Sequence, residues 1–339
     1  MKKFTKLALV SSIALTTNAM AMQAMDDTAL SATTGQDGLS IGIGISKIEI
    51  EKLLIHDNDG LAAKGAAGDL GFGGTSKAGA IVIKGNGEGK TANHGVVIEA
   101  NMSDATNPTK YLLASHNLAD LVIDTDAGET ANGGAFINVA AQVAGLEINI
   151  GEIGVSASNA KPVAGATSIR RGNDDNNYNA ILSGLTLKTG KMDANIQLGA
   201  APQGAMIKLN TTMVGGLEIA NLGILDNSTK QGTGDGTKGN RAAGQIFIES
   251  IKFADANSTD LTLKQDISVI GKEGANNGYI QIISHGGAKD NYVQGIRLGS
   301  KTAASIGDME VQGLQTYYGG NTLQPAGYTQ GAKITISGH

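Results

Sequence analysis

The run His56-Asp57-Asn58-Asp59-Gly60 comes nearest to a metal site by residue type and spacing. Alternate carboxylates ahead of a glycine can offer oxygen ligands to a hard cation such as Ca²⁺. An EF-hand laid on this run would need donors at Ile55 and Ala66, and neither side chain carries oxygen. The run therefore reads first as a polar turn ending a strand, with Asp57 and Asp59 as the candidate metal ligands. Asp174 and Asp175 are treated the same way. Gly85-Asn86-Gly87-Glu88-Gly89-Lys90-Thr91 imitates a phosphate loop, but its glycine spacing is one residue short and no helical pattern follows. A hairpin turn is the expectation there. His56, His94, His116, His285 and His339 are scattered, and His285 with Asp290 forms a triad only on paper, because no serine elbow accompanies them. No catalytic residue and no cofactor site is assigned. Paired carboxylates for glycoside chemistry depend on a tertiary distance, and Tyr317-Tyr318 is the only aromatic doublet.

Composition narrows the function classes. Cysteine is absent, which removes thiol nucleophiles, Cys-based metal centres and disulfides. Lys2, Lys3 and Lys6 precede a short apolar run at 7–15, and Ala19-Met20-Ala21 offers the small residues of a signal-peptidase site. Residues 1–21 are expected to be a signal peptide, with Ala19 and Ala21 marking cleavage and the mature chain starting at Met22. Losing three lysines and no acid moves the formal charge from −5 to −8. Nucleic acid is a poor partner for such a chain, because its phosphates call for clustered Lys and Arg. Arg170-Arg171 is the only adjacent arginine pair and reads as a solvated turn. Trp is absent, and the few Phe and Tyr could not build the aromatic girdles of an outer-membrane barrel. No transmembrane span is expected in the mature chain.

The elements that must position these residues are strands. Seven times, apolar residues or close substitutes recur at relative positions 0, 2, 5 and 7: the sets begin at Ile43, Ile148, Ala180, Leu217, Ile246, Asn291 and Met309. Period two is the strand signature, and the step of three demands a bulge or bend if the apolar face is to be kept. Short strands are expected at 80–84, 95–100, 121–124 and 136–140, with polar loops at 57–80, 158–179 and 226–240. Thr189-Gly190-Lys191 is expected to close a tight hairpin between 185–187 and 195–198. The expected fold is all-β: an elongated, mainly antiparallel sheet or sandwich with long Gly/Asn-rich loops. A β-solenoid is the alternative, although the intervals between sets, 105, 32, 37, 29, 45 and 18, are too uneven for a repeat. The expected domains are a helical segment over 22–38, with its helix at 25–34, and a β-rich domain over 39–339 with a candidate boundary at 226–240.

Met25-Asp26-Asp27-Thr28-Ala29-Leu30-Ser31 and Thr34-Gly35-Gln36-Asp37-Gly38, followed by Lys47-Ile48-Glu49-Ile50-Glu51-Lys52-Leu53, resemble the opening of the FilA family of pilus-system proteins from Acinetobacter-type bacteria. The resemblance implies a structural or accessory role in a surface filament or adhesion system, and it brings no catalytic residue with it. The chain lacks the long apolar N-terminal helix of type IV pilins and the cysteine pair common in chaperone–usher subunits. The expected function is an exported envelope protein of a Gram-negative bacterium, with protein partners and self-association through strand edges. Its expected location is the periplasm, the outer surface or an extracellular filament. A secreted β-rich polysaccharide-acting enzyme and a Ca²⁺-stabilised surface binding module are the alternatives.

Overall fold

A computed structural model describes residues 38–63, 65, 73–319 and 327–338. The expected signal peptide, its cleavage site at Ala19 and Ala21, and the helix at 25–34 lie outside the described residues. The described residues from Ser40 onward belong to one compact unit.

Its strands group into eight lanes in chain order. Lane 1 holds β1 (Leu39–Ile43), β2 (Lys47–Ile50) and β3 (Lys52–Asp57). Lane 2 holds β4 (Gly79–Lys84), β5 (Val96–Ala100) and β6 (Ala119–Asp126), and lane 3 holds β7 (Phe136–Val143), β8 (Leu146–Ile150) and β9 (Glu152–Ser158). Lane 4 is β10 (Asn173–Lys188) and β11 (Met192–Gly199); lane 5 is β12 (Ile207–Met213) and β13 (Leu217–Asp226). Lane 6 is β14 (Gly244–Asp255) and β15 (Leu261–Ile270); lane 7 is β16 (Tyr279–Ser284) and β17 (Lys289–Gly299). Lane 8 is β18 (Ser305–Leu314) and β21 (Ala332–Ile336), with the small pair β19 (Tyr317–Tyr318) and β20 (Thr329–Gln330) between them.

Each lane passes through two sheets. One sheet runs β1-β6-β7-β11-β12-β15-β16-β21, and the other runs β2-β5-β8-β10-β13-β14-β17-β18 with β3, β4 and β9 attached beside β10. Both therefore follow lanes 1 to 8, and the strands pair antiparallel. The all-β antiparallel expectation holds. The solenoid alternative does not, because each lane reverses direction where a solenoid coil would stack parallel on its predecessor.

The crossing between sheets is a crease. Lanes 3 and 4 keep one register through it: Val143 opposes Met192 on one side, and Glu147 opposes Lys188 on the other. Thr189 donates its backbone N–H to Leu146 O at 2.9 Å and accepts from the Leu146 amide through Oγ1 at 2.9 Å. Thr189-Gly190-Lys191 is thus a bend within one lane and not the expected hairpin. Its small, turn-competent residues serve the close approach: a Cβ on Gly190 would lie 2.9 Å from Met213 Cα. Burial is deep along this line, with Ala144 fully covered and Met213 and Leu261 nearly so.

Two insertions widen lane 2. Ile83 opposes Ile153 while Val96 opposes Ile150, so residues 84–95 put ten extra residues between β4 and β5. The Gly85–Thr91 stretch belongs to this loop, and the strands flanking it pair with lanes 1 and 3 rather than with each other. It is not a hairpin. Ala100 opposes Leu146 while Ala119 opposes Val143, so a further sixteen residues are inserted at the crease. Asn101 Nδ2 bonds Thr189 O at 2.9 Å, and the Gly145 amide bonds Tyr111 O at 2.7 Å, which seats this second insertion over the bend.

The expected loop at 158–179 is shorter than the composition suggests. β10 begins at Asn173, so Asn173-Asp174-Asp175-Asn176-Asn177 is strand, held by Ser156 Oγ donating to Asp174 O at 2.5 Å and by Lys52 Nζ donating to Asn173 Oδ1 at 3.2 Å. Within β10, residues 174–177 fall in the irregularity between the Asn173–Ser158 and Tyr178–Ser156 pairs, and the Asn176 amide bonds Asp174 Oδ1 at 3.0 Å, so the Asn/Asp run keeps its turn character inside the strand.

Candidate interaction surface

Pairing turns the apolar pattern into rows that run across the sheet. Ile48, Ile98, Ile148, Leu187, Ile219, Ile251, Val293 and Met309 stand opposite one another in sequence through all eight lanes. Leu53, Ile83, Ile153, Leu182, Ile224, Ile246 and Leu298 form a second row through seven. Opposed residues of antiparallel strands share a face, so both rows lie on one surface. The first set belongs to Ile48, Ile50, Leu53 and Ile55, not to the set starting at Ile43, because Ile43 ends β1 in the other sheet.

The step of three is a bulge, as the pattern demands. Asn221 (φ 57°) in β13 and Gly295 (φ 70°) in β17 are left-handed, and the register shifts between β10 and β13 fall on either side of Gly184 (φ 132°). One extra residue per strand lets Leu222 and Ile224 return to the face that Leu217 and Ile219 occupy.

This face is not sealed. Val293 is 6% exposed, but Ile224, Ile246, Leu298 and Met309 are 41–52% exposed. In the other sheet, Ile123, Val139, Ile196, Ile207, Ile267, Ile282 and Ile334 make a comparable row. The two largest fully buried side chains, Val82 and Val97, alternate with row residues and so face the other way. Apolar surface of this breadth is unusual on an exposed face and makes this one the candidate for contact with another body.

The opposite face carries a charged row in the same lanes. Lys47, Glu99, Glu147, Lys188, Glu218, Lys252, Tyr292 and Glu310 stand opposite one another from lane 1 to lane 8. Two acids meet at Glu99 and Glu147, and there Lys90 descends from the inserted loop, its Nζ 2.6 Å from Glu99 and 2.8 Å from Glu147. Burial pushes the Glu147 carboxyl up, but the Lys90 hydrogen bond, the Asn149 bond and the Lys90 and Lys188 charges outweigh it and leave the pKa lowered. Lys90 is correspondingly raised: burial works against its charge, and the bonds to Glu147 and Glu99 more than compensate.

Beneath the same loop lies a cavity of about 550 Å³, lined by Asn86, Thr91, Asn149, Thr186 and Phe247 among others. Its polar groups bond one another. Asn86 Nδ2 donates to Ser183 O at 3.2 Å, and Asn86 Oδ1 accepts from Thr91 Oγ1 at 3.0 Å. Thr186 Oγ1 donates to Asn149 Oδ1 at 2.9 Å. Glu88 and Lys301, both lining the cavity, form an ion pair. These contacts anchor the loop on the sheet.

The residues singled out by type are placed apart. Asp57 Oδ1 accepts the amides of Asp59 at 3.3 Å and Gly60 at 3.1 Å, forming the polar turn that ends β3. Among the described residues, no group of three or more His, Cys, Asp or Glu side chains is arranged to hold a metal. His285 Nε2 is 2.8 Å from Asp266 Oδ2, so its carboxylate partner is not Asp290. Asp290 instead accepts the amides of Asn257 and Gly313, both at 2.8 Å. Arg171 is bound, its Nε donating to Asn159 O at 2.6 Å and its guanidinium to Asn58 Oδ1 at 2.8 Å. Tyr317 is exposed at 60%, on the small β19–β20 pair. Neither row is visible in one sequence, because their members meet only by pairing. Among the described residues, no helix is long and apolar enough to cross a membrane.

A model for a family of unknown function, DUF6160, matches residues 1–104, which take in lane 1 and the β4 and β5 portions of lane 2. No curated protein and no solved structure matches the chain.

Proposed function

We propose that this chain is an exported structural or adhesion protein of a Gram-negative envelope, working as an accessory or a subunit of a pilus or filament system. The observation that carries the reading is the open eight-lane sheet. Its outer lanes end both sheets among the described residues, and one face presents apolar rows that stay half exposed. Such a surface suits protein partners, since free strand edges and broad apolar patches both invite association. The basic head and small-residue cleavage site at the N-terminus support export, and the TGQDG opening supports the filament context. The mature chain acts outside the cytoplasm without a membrane span of its own and without binding nucleic acid.

An antibody raised to residues 39–339 tests this on intact and permeabilised cells. Labelling of surface filaments on intact cells is the expected result. Protein found only in the cytosolic fraction, at full precursor length, would sink the reading.

A further inference from the structure

We infer that lane 8 of one copy adds as a strand to lane 1 of the next, so that the sheet continues from copy to copy. This deepens the filament reading above by naming the partner as a second copy of the chain. Four observations point to it.

Both lanes are sheet edges among the described residues: β2 and β3 end one side, and β18 ends the other. β18 is ten residues long, and every position except Val311 is exposed. A long exposed edge presents unpaired amides and carbonyls to another strand.

The direction is right. Adjacent lanes alternate, so lanes 1 and 8 run oppositely, and β18 of one copy is antiparallel to β2 of a copy placed beside it in the same orientation.

Both rows end in compatible residues. The apolar row starts at Ile48 and finishes at Met309, while the charged row starts at Lys47 and finishes at Glu310. Setting Met309 opposite Ile48 places Glu310 opposite Lys47 without any further adjustment. It also sets Gly307 opposite Ile50.

The same register sets Asp308 against Glu49, which are like charges. Each carboxylate has a neighbour in its own copy: Asp308 accepts from the Gly295 amide and Tyr292 Oη, and Glu49 pairs with Lys47. The contact is therefore selective for register and limited in strength, and relieving this one repulsion strengthens it.

The test uses the purified mature chain, residues 22–339, followed by sedimentation velocity and electron microscopy. Concentration-dependent linear assembly is expected. Lys47→Glu or Glu310→Lys alone weakens association about fivefold, the scale of turning a favourable cross-strand pair into a like-charged one. The double variant recovers assembly, and Glu49→Gln assembles more tightly than the parent. Because Lys47 also contacts Glu49 and Glu99 within its own copy, far-UV circular dichroism checks each variant's fold. A synthetic peptide of residues 305–314, added to the unmodified protein, shortens the assemblies by capping lane 1. A chain that stays monomeric up to about 1 mM, the millimolar limit of weak association, overturns the inference. Assemblies indifferent to the charge swaps and the peptide also overturn it, since another surface then builds them. Neither failure bears on where the protein resides, which the cell-labelling experiment reads separately.

Discussion

Lys90 shows how one side chain can hold a loop and a sheet together. Its ammonium sits between Glu99 and Glu147, two acids that pairing forces side by side. Lys90→Met leaves them unneutralised, and the expected loss is about 1 kcal/mol once screening of the half-exposed ammonium is allowed for. Chemical denaturation of the single variant against the parent reads this, and no change in midpoint would mean the pair is solvated and idle. The same groups set a pH profile. His56 is lowered from 6.5 by burial and then by the Arg171 charge, so its contribution is present above 6.5 and lost as pH falls from there through its folded value. Glu147 and Glu218 are lowered from 4.5, each by bonds that overcome burial, and their stabilisation is lost on further acidification through the folded values. Lys90 is raised from 10.5, so its contribution is present below that value and lost as pH rises through the folded one. Thermal midpoints should form a plateau from about pH 7 to about pH 10 and fall on both sides. A midpoint that rises on going from neutral to acid would contradict this assignment of charges. Little of it was legible beforehand: the residues around Lys90 read as a hairpin turn, which they do not form, and its partners Glu99 and Glu147 reach it only through pairing.

Strands, by contrast, were legible down to their irregularity. The step of three between Ile219 and Leu222 anticipates a bulge, and Asn221 supplies it in a left-handed conformation that Asn tolerates. Deleting Asn221 would restore strict alternation and turn Leu222 and Ile224 onto the charged face. The expected result is a loss of about 1–2 kcal/mol, since two large apolar residues leave their row together but each is only partly covered there. Asn221→Gly keeps the conformation and should be nearly neutral. Equal destabilisation by the two changes, in parallel urea titrations, would show that the bulge does not set the face. Lane 2 hid its version of the pattern, Ile81 and Ile83 followed by Val96 and Ile98, because ten inserted residues separate the halves. The crease misled in a different way. Thr189-Gly190-Lys191 has hairpin composition, yet glycine is used there so that two backbones can approach closely. Gly145 is under the same constraint, since a Cβ would lie 2.7 Å from Thr189 O and 2.7 Å from Tyr111 Cβ. Gly145→Val should therefore cost about 1–3 kcal/mol, the range for overpacking a tight contact, and a neutral outcome would mean that the crease is loosely packed.

At the scale of the whole molecule, the lanes follow one another in chain order, and each pairs only with its neighbours. Stability in such an array is a sum of nearest-neighbour terms, as in repeat proteins, rather than a property of one central core. The pattern of burial agrees, because the deepest side chains lie along the crease and under the lane 2 insertions. Lanes 4 and 5 stand three lanes from the nearest edge and lane 6 stands two, whereas β18 and β21 have one neighbour each. Local opening should therefore begin at the edges and require progressively more free energy inward. Native-state hydrogen exchange on the monomeric protein should find the slowest amides in β10, β13 and β14, and the fastest strand amides in β18 and β21. Protection that is uniform across all lanes would instead indicate one all-or-none unit. Assembly sharpens the same measurement: if β18 is covered by lane 1 of another copy, its amides slow on assembly while those of β13 hardly change, because only the edge gains a partner. Slowing spread evenly over the apolar rows would point to contact through the face of the sheet, where Ile224 and Ile246 are exposed.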